Sequence, residues 1–190
     1  MKNKKDIISI IESDDWMMSI LELARTLQLP DWWICAGFVR TKIWDHLHGF
    51  EQRTPLADID LIYFDSLFID EGYEKELEKR LLEIKPEEPW SVKNQARMHV
   101  INDTPSYHSS ADAISKFPET ATAIGLKLDR DHALILKAPY GVGDVMQGIV
   151  APTPHFQKSE KMMRIFEKRK KEKQWKKKWP MLSYSSRNKS

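Results

Sequence analysis

The sequence predicts a mixed α/β or α+β fold, and three features of its pattern indicate this class. Apolar runs that suit strands, at 32–36 and 58–65, are each followed by a segment with apolar residues at helical spacing. A glycine separates the first of these strands from its helix. Two further runs, 124–128 and 133–138, flank a polar turn and predict a hairpin. We therefore expect a mixed sheet flanked by helices.

The helices and the remaining strand follow from apolar spacing and from breaker residues. Residues three and four apart predict amphipathic helices at 6–28, 38–47, 70–84 and 111–117. Residues 90–100 are expected to form a third strand, although 93–97 is polar for a buried one. A compact turn is predicted from Gly141 to Asp144, where Gly-x-Gly lacks the lysine of a phosphate loop and is interpreted as structural.

Composition favours one domain without a membrane span. The chain has 190 residues, 41% hydrophobic and 31% charged, which is enough for one buried core. Its apolar runs stay below the roughly 20 residues that a spanning helix needs, and the first residues do not resemble a signal peptide. We expect a soluble, cytoplasmic protein. The single cysteine, Cys35, excludes a disulfide within the chain and is expected to pack in the core.

The charge is distributed unevenly along the chain. Residues 158–190 contain 13 basic and 3 acidic residues, whereas 1–157 contain 17 basic and 25 acidic ones. The net charge of +2 therefore combines a segment at −8 with one at +10. We interpret 1–157 as the folded domain and 158–190 as a basic helical tail that is partly disordered at its end.

The basic tail admits several partners. Apolar and aromatic residues interleaved with lysines predict a cationic, partly amphipathic helix over 158–178. Such a helix fits RNA or another polyanion, an anionic membrane surface, or the acidic surface of its own domain. It also fits a solvated helix without a partner. The pattern leaves these alternatives open, as it does the oligomeric state.

Two carboxylates at the beginning of a strand are the main chemical signal. Asp58 and Asp60 are two residues apart, so the alternation of a strand sends both side chains to one face. Paired carboxylates repel each other unless a cation neutralises them, and Mg²⁺ or Mn²⁺ prefers such oxygen ligands together with substrate phosphates. The pair therefore predicts a metal site that binds a nucleotide.

A glycine turn about twenty residues earlier adds a phosphate site. Gly37 lies between a strand and a helix, where it allows a phosphate to approach backbone N–H groups at the helix N-terminus. Arg40 follows within the first helical turn and could add a fork of donors. Together with Asp58 and Asp60, these two residues predict a nucleotide site rather than an ordinary turn.

These motifs are similar to those of a known superfamily. Strand, glycine turn, helix and an Asp-x-Asp strand resemble the nucleotidyltransferase superfamily, which includes DNA polymerase beta and the poly(A) and tRNA-nucleotidyl polymerases. More narrowly, the chain resembles a bacterial family of nucleotidyltransferase-like proteins over residues 32–152. The resemblance lies in the segments 36–44, 58–65, 92–99 and 138–141. The resemblance implies a nucleotidyltransferase-type mixed sheet and transfer of a nucleoside monophosphate from a nucleoside triphosphate to a hydroxyl acceptor, with metal ions held by Asp58 and Asp60.

The chain departs from the superfamily pattern at two points. Superfamily members usually carry Gly-Gly or Gly-Ser at the turn, whereas this chain has Gly37-Phe38. They also carry a third carboxylate on the following strand, where this chain offers Asn94, whose carbonyl oxygen could bind a cation. Asp65 falls on the opposite face from Asp58 and Asp60 and is expected to cap the next helix.

Residues in the second half of the predicted third strand complete the predicted site. Arg97 could neutralise phosphate and His99 could donate a hydrogen bond to it, or both could be ordinary polar residues at the edge of the strand. Lys93 alternates with Asn94 and is excluded from the site. Two other interpretations remain: a catalytically inactive protein that binds nucleotide or RNA, and an interaction module in which acidic domain and basic tail pair between subunits.

Overall fold

A five-stranded mixed sheet is the centre of the computed structural model, which describes residues 1–185. Within these residues the strand order is β3-β2-β1-β4-β5. Strands β2 and β3 are parallel, and the other neighbours are antiparallel. The strand bounds are β1 Trp33–Cys35, β2 Ile59–Tyr63, β3 Trp90–Asn94, β4 Gly125–Leu128 and β5 Leu134–Lys137. A separate parallel pair joins β6, Ile149–Val150, to β7, Ser183–Tyr184. The mixed α+β class and the β4–β5 hairpin are confirmed.

Helices occupy much of the chain between the strands. Their bounds in residues 1–185 are α1 Lys4–Glu12, α2 Asp15–Thr26, α3 Gly37–Leu47, α4 Glu71–Ile84, α5 Gln95–Ile101, α6 Ser110–Ser115, α7 Gly143–Met146, α8 Glu160–Lys173 and α9 Trp175–Lys178. A short 3-10 helix, Phe156–Lys158, precedes α8. Across residues 1–185, none of these helices is long and apolar enough to cross a bilayer.

The single helix predicted over 6–28 is wrong, because Asp14 starts a second helix. Its carboxylate accepts a hydrogen bond from the backbone N–H of Met17 at 3.1 Å and so caps α2. The same carboxylate pairs with Lys42 at 2.7 Å and with Arg53 at 2.9 Å. A charged residue in the middle of an apolar pattern therefore fixes a helix start and its contact with the following segments.

The strand predicted over 90–100 is also too long. Strand β3 ends at Asn94, whose side chain accepts a hydrogen bond from the backbone N–H of Ala96 at 3.1 Å and caps α5. The polar segment that seemed unusual for a strand is the start of this helix. Asn94 is a residue type that favours a helix N-cap, so the sequence did contain a signal for a helix start at this position.

The two faces of the sheet differ in what covers them. One face, with Leu61 and Tyr63 of β2, lies in the main hydrophobic core. The opposite face carries Asp60, whose neighbours across the sheet are Cys35 and Ser91. Cys35 is fully buried there, as expected. This second face has only a small apolar cluster and is the one that can hold a polar site.

The basic segment does not lie apart from the domain. Phe166, Trp175, Trp179 and Leu182 belong to the main core. The ring of Trp44 packs edge-on against Trp175 and Trp179, with centroids 5.5 and 5.2 Å apart. The division at residue 157 therefore does not correspond to a division in the packing.

The basic segment is also not one helix. The helix predicted over 158–178 is interrupted at Gln174, which has a φ of 44° and separates α8 from α9. The expected disorder at the end of the tail concerns 186–190, which lie outside the described residues.

Candidate active site

A cavity of about 680 Å³ opens on the sheet face that carries Asp60. Its lining combines the β1–α3 turn, the start of β2, β3 and α5, the 116–122 segment and the C-terminal helices. The charged side chains among its lining residues are Arg40, Asp58, Asp60, Lys93, Lys116, Arg169, Lys173 and Lys178. Six cations thus surround two carboxylates, which makes the cavity suitable for a polyanion.

The carboxylates of Asp58 and Asp60 both line this cavity and lack protein partners. Within residues 1–185 neither accepts a hydrogen bond nor forms an ion pair. Burial, reinforced by the charge of Asp58, raises the pKa of Asp60 to about 6. Arg40, Lys173 and Arg169 oppose this rise. The pair is therefore an anionic centre that a cation would stabilise.

The turn before α3 brings backbone N–H groups to the same cavity. Ala36 has φ 52° and ψ −113°, a conformation that glycine adopts more readily, and no side chain caps the helix that starts at Gly37. A Cβ atom added to Gly37 would lie 3.6 Å from Nη2 of Arg40 and 3.9 Å from Oδ1 of Asp58. The strained turn is Ala36-Gly37, one residue earlier than the Gly37-Phe38 pair that the sequence suggested.

Arg40 is a partly buried cation, and no carboxylate of residues 1–185 forms an ion pair with it. Its guanidinium carbon lies 5.0 Å from the ring centroid of Trp44 and 4.7 Å from that of Trp175, so two indoles hold it by cation–π contacts. Burial lowers its pKa to about 10, which leaves it charged at neutral pH. Its Nε is buried and has no hydrogen-bond partner in residues 1–185. Unpaired buried donors of this kind suit an anionic ligand.

Asn94 lies outside the cavity, contrary to the sequence interpretation. It is fully buried, and its side-chain amide accepts a hydrogen bond from the backbone N–H of Asp65 at 3.0 Å and donates to the carbonyls of Asp65 and Phe68. The reason is the register: Asn94 pairs with Tyr63, on the core face. Asp65 closes the same loop by accepting from the N–H of Leu67, so it does not cap the next helix.

Lys93 takes the place on the cavity side that was expected of Asn94. It pairs across the sheet with Ile62, on the same face as Asp60, and it lines the cavity. The sequence interpretation left Lys93 out of the site, whereas the structure places it in the cavity lining. Strand alternation correctly puts Lys93 and Asn94 on opposite faces of β3. Which of the two shares the face of Asp60 depends on the pairing register between β2 and β3.

Arg97 and His99 also lie away from the cavity. Arg97 donates to Glu74 of α4, from Nη2 to Oε2 at 2.8 Å and from Nε to Oε1 at 3.2 Å. Nδ1 of His99 lies 2.9 Å from the carbonyl oxygen of Ala96. Both residues were placed on a strand, whereas the helical period of α5 turns Met98 toward the cavity instead.

Comparison with known families identifies the fold. The profile of a nucleotidyltransferase family matches residues 22–184. The chain belongs to this nucleotidyltransferase family. Its resemblance to nucleotidyltransferases, first seen in the glycine turn and the Asp58–Asp60 pair, is thereby confirmed.

Solved structures include one that this nucleotidyltransferase resembles over nearly its whole length. A protein whose NMR structure is described as revealing a CCA-adding enzyme head domain shares 39% identity over 98% of each chain, with a TM-score of 0.87. A tRNA-processing enzyme complex shares 17% identity over 70% of this chain and 35% of that one, with a TM-score of 0.43. No curated protein sequence matches the chain significantly.

The donor set of this nucleotidyltransferase fits a divalent cation. Nucleotidyltransferases generally use divalent metals. At the start of β2, Asp58 and Asp60 supply two carboxylates that are unpaired within residues 1–185. Among residues 1–185 there is no group of three or more His, Cys, Asp or Glu side chains arranged to hold a metal. The protein would thus provide two ligands, and phosphate oxygens and water would complete the coordination.

Three cavity cations come from the segment that the sequence assigned to a tail. Arg169 and Lys173 of α8 and Lys178 of α9 all line the cavity. The sequence contains a pattern that could have identified the α8 residues of the cavity. Spaced three or four residues apart, they form one face of the helix: Met162, Ile165, Arg169 and Lys173. The charge of the whole segment obscured this narrower pattern.

Proposed function

We propose that this protein is an active nucleotidyltransferase that transfers a nucleoside monophosphate from a nucleoside triphosphate to a hydroxyl acceptor, with Mg²⁺ or Mn²⁺. One observation carries the proposal: two carboxylates without partners in residues 1–185 face a cavity that also contains six cations. A bound metal would neutralise the carboxylates, and a triphosphate would neutralise the cations. Each ligand explains one half of the charge pattern.

The triphosphate would bind at the glycine turn. The first N–H groups of α3 lack a side-chain cap, and the guanidinium of Arg40 lies above Gly37. Arg169, Lys173 and Lys178 face the carboxylates from the C-terminal helices. Phosphate oxygens would therefore be contacted from the turn and from the helices that close the cavity.

The chemistry follows from this arrangement. The acceptor oxygen forms a bond to the α-phosphorus, the bond from that phosphorus to the bridging oxygen breaks, pyrophosphate leaves, and the hydroxyl loses its proton to solvent. The cationic side chains hold the phosphates in line and stabilise the charge on the departing pyrophosphate. A divalent cation on Asp58 and Asp60 would supply Lewis-acid assistance at the phosphate oxygens.

RNA is the acceptor that we propose. A similar protein is described as revealing a CCA-adding enzyme head domain. Lys171, Lys176 and Lys177 are exposed on the helices that contribute Lys173 and Lys178 to the cavity. Exposed lysines on these helices suit the phosphate backbone of a polynucleotide without reading its sequence. An RNA acceptor also agrees with the cytoplasmic location that the sequence suggests.

A catalytically inactive nucleotide- or RNA-binding protein of the same fold is the second candidate. The observation that favours it is the cavity side of β3, which carries Lys93 and, opposite Asp60, Ser91. Superfamily members usually have a carboxylate on this strand. Binding without transfer would result if two carboxylates are too few to hold the metals in the transition state.

Two measurements on the full chain separate these candidates. Calorimetry measures binding of ATP, GTP, CTP and UTP with and without Mg²⁺ or Mn²⁺. Transfer of label from the α-phosphate is then measured on RNA that ends in a 3′-hydroxyl or a 3′-phosphate. Metal-dependent binding with label only on the 3′-hydroxyl RNA would support transfer to RNA.

The variants assign the result to the carboxylates. Asp60→Asn should abolish transfer, whereas Asp131→Asn, an exposed aspartate in the β4–β5 turn, should leave it unchanged. Metal-dependent binding without transfer to any acceptor would favour the inactive protein. Absence of nucleotide binding by the wild type would reject both candidates.

A further inference from the structure

A buried carboxylate behind the cavity wall has no part in the function proposed so far. Glu119 lies in the segment between α6 and β4, is 1% exposed and does not line the cavity. Its carboxylate accepts hydrogen bonds from Nε of Arg169 at 2.8 Å and from Nη2 at 3.3 Å. The hydroxyl of Thr122 donates to it at 2.8 Å. A buried charge with this many partners is fixed in place.

The pairing leaves the other edge of Arg169 available. A guanidinium has five N–H donors, and the contact with Glu119 uses the Nε–Nη2 edge. Nη1 makes no hydrogen bond or ion pair within residues 1–185. The side chain is 32% exposed and lines the cavity. An arginine held along one edge can present the second edge to a phosphate in bidentate geometry.

Glu119 also offsets the repulsion between two arginines on the same wall. Burial lowers the pKa of Arg40, Arg169 lowers it further, and the charge of Glu119 opposes both effects. Without Glu119 the two guanidiniums would repel each other with no compensating charge beyond Asp58 and Asp60. The buried acid therefore allows two cations to remain near one ligand.

The segment that carries Glu119 is tied to the glycine turn. The backbone N–H groups of Thr122 and Ala123 donate to the carbonyl of Glu119, at 3.1 and 2.9 Å. At the next residue, the carbonyl of Ile124 accepts from the N–H of Ala36 at 3.0 Å. One short stretch of backbone thus fixes both the turn that starts α3 and the acid that orients Arg169.

We propose that Arg40 and Arg169 form a two-guanidinium clamp for a polyphosphate and that Glu119 is the positioning residue that aims Arg169 into it. The proposal rests on the function given above for the identity of the ligand, the triphosphate of a nucleotide. It pairs Arg169 with Arg40 on the same phosphates and assigns a task to an acid that never touches substrate. A purely structural tie between α8 and the domain would use the same contacts, so the test must separate the two.

The test uses inorganic tripolyphosphate as the probe, without metal, on the full chain. Binding is measured by calorimetry for the wild type, Glu119→Gln, Arg169→Gln and the double variant. Arg169→Gln leaves the Glu119 carboxylate buried without its cation, so Arg169→Lys is added as a variant that keeps the charge and loses the two-edged donor. Glu172→Gln and Arg164→Gln, exposed residues of the same helix, are the matched controls. Melting temperature is recorded for all.

The clamp predicts that Glu119→Gln and Arg169→Gln each raise the Kd for tripolyphosphate about tenfold. The double variant should be little worse than either, because both remove the same interaction. Arg169→Lys should weaken binding as well, although it retains the charge. The controls should bind as the wild type does. In the transfer reaction the loss should fall mainly on the KM for the nucleotide rather than on kcat.

Two outcomes would overturn the clamp: tripolyphosphate that fails to bind the wild type, or Glu119→Gln that lowers the melting temperature and leaves the Kd unchanged. The transferase proposal is tested separately by label transfer. If Glu119→Gln and Arg169→Gln both weaken tripolyphosphate binding but the wild type transfers no label, the clamp is supported and the transferase function is rejected. If the wild type transfers label but Glu119→Gln leaves the Kd for tripolyphosphate unchanged, the transferase function is supported and the clamp is rejected.

Discussion

Two regions beside the same strands contain buried polar residues, and they differ in whether those residues satisfy each other. At the carboxyl end of β3, Glu74 accepts hydrogen bonds from the backbone N–H of Asn94 at 2.9 Å and from Arg97. In the cavity, the side chains of Asp60 and Arg40 make no hydrogen bond or ion pair with any residue of 1–185. The first region is complete in itself, whereas the second is complete only with a ligand.

The contrast separates stability from binding. Paired groups such as Glu74 and Arg97 contribute to the folded state, and removing one of them leaves a buried charge. Unpaired groups such as Asp60 and Arg40 cost stability in the free protein, and this cost is recovered when metal and phosphate bind. Substitutions in the first region should therefore lower stability and leave binding intact, whereas substitutions in the second should impair binding or transfer.

The largest effect is expected from Asp60→Asn on label transfer. Loss of one preorganised electrostatic group typically lowers kcat by about 100- to 1000-fold, and a metal ligand belongs in this class. Initial rates of label incorporation into RNA provide the measurement. Asp131→Asn is the control, and activity of Asp60→Asn within tenfold of the wild type would mean that the carboxylate does not serve the reaction.

Glu74→Ala should lower the free energy of unfolding by about 3 kcal/mol, because it leaves Arg97 without its buried partner. Urea denaturation followed by circular dichroism measures this change. Tripolyphosphate binding by the folded variant should equal that of the wild type. Glu76→Ala, exposed on the same helix, should change neither quantity. A binding defect in folded Glu74→Ala would join the two regions and remove the contrast.

Asp60→Asn should stabilise the metal-free protein by about 1–2 kcal/mol at pH 8. Burial and Asp58 raise the pKa of Asp60 to about 6, so the folded state binds the proton more tightly than the unfolded state does. The carboxylate therefore destabilises the fold fully above pH 6 and progressively less as the pH falls toward 4. Thermal unfolding in EDTA measures the difference, which should narrow at pH 5. Equal melting temperatures at pH 8 would show that the charge costs nothing.

The smallest effect is expected at the rim of the cavity. Lys173→Ala should raise the Kd for tripolyphosphate about threefold at low salt, since an exposed charge pair contributes little free energy. The same titration in high salt should reduce the difference between variant and wild type. Lys171→Ala, exposed on the same helix and outside the cavity lining, is the control. Equal losses for both lysines would indicate a diffuse basic surface instead of a defined site.

Local rules of sequence predicted much of the sheet and the four residues that meet in the cavity. Strand alternation is a property of consecutive residues, so it related Asp58 to Asp60 and set Lys93 against Asn94. It could not decide which of the latter pair faces Asp60, because that depends on the register between β2 and β3. The roles of the cavity residues stay predictions.

Long-range contacts explain what sequence reasoning missed. Arg169 reaches the cavity because a residue 50 positions earlier holds its guanidinium and because Trp175 packs against Trp44. Neither partner is visible from the composition of the basic segment. The charge asymmetry at residue 157 is real, but both segments contribute cations to one cavity: Arg40, Lys93 and Lys116 from 1–157, and Arg169, Lys173 and Lys178 from the basic segment.

The contribution of α8 and α9 to the cavity also bears on the order in which the protein is made. Asp58, Asp60 and the glycine turn leave the ribosome before Arg169, Trp175 and Lys178 have been translated. A nascent or prematurely terminated chain would carry the carboxylates without the wall that surrounds Arg40. Assembly of the site would therefore wait until α8 and α9 have been translated, which keeps shorter nascent chains from presenting a finished cavity.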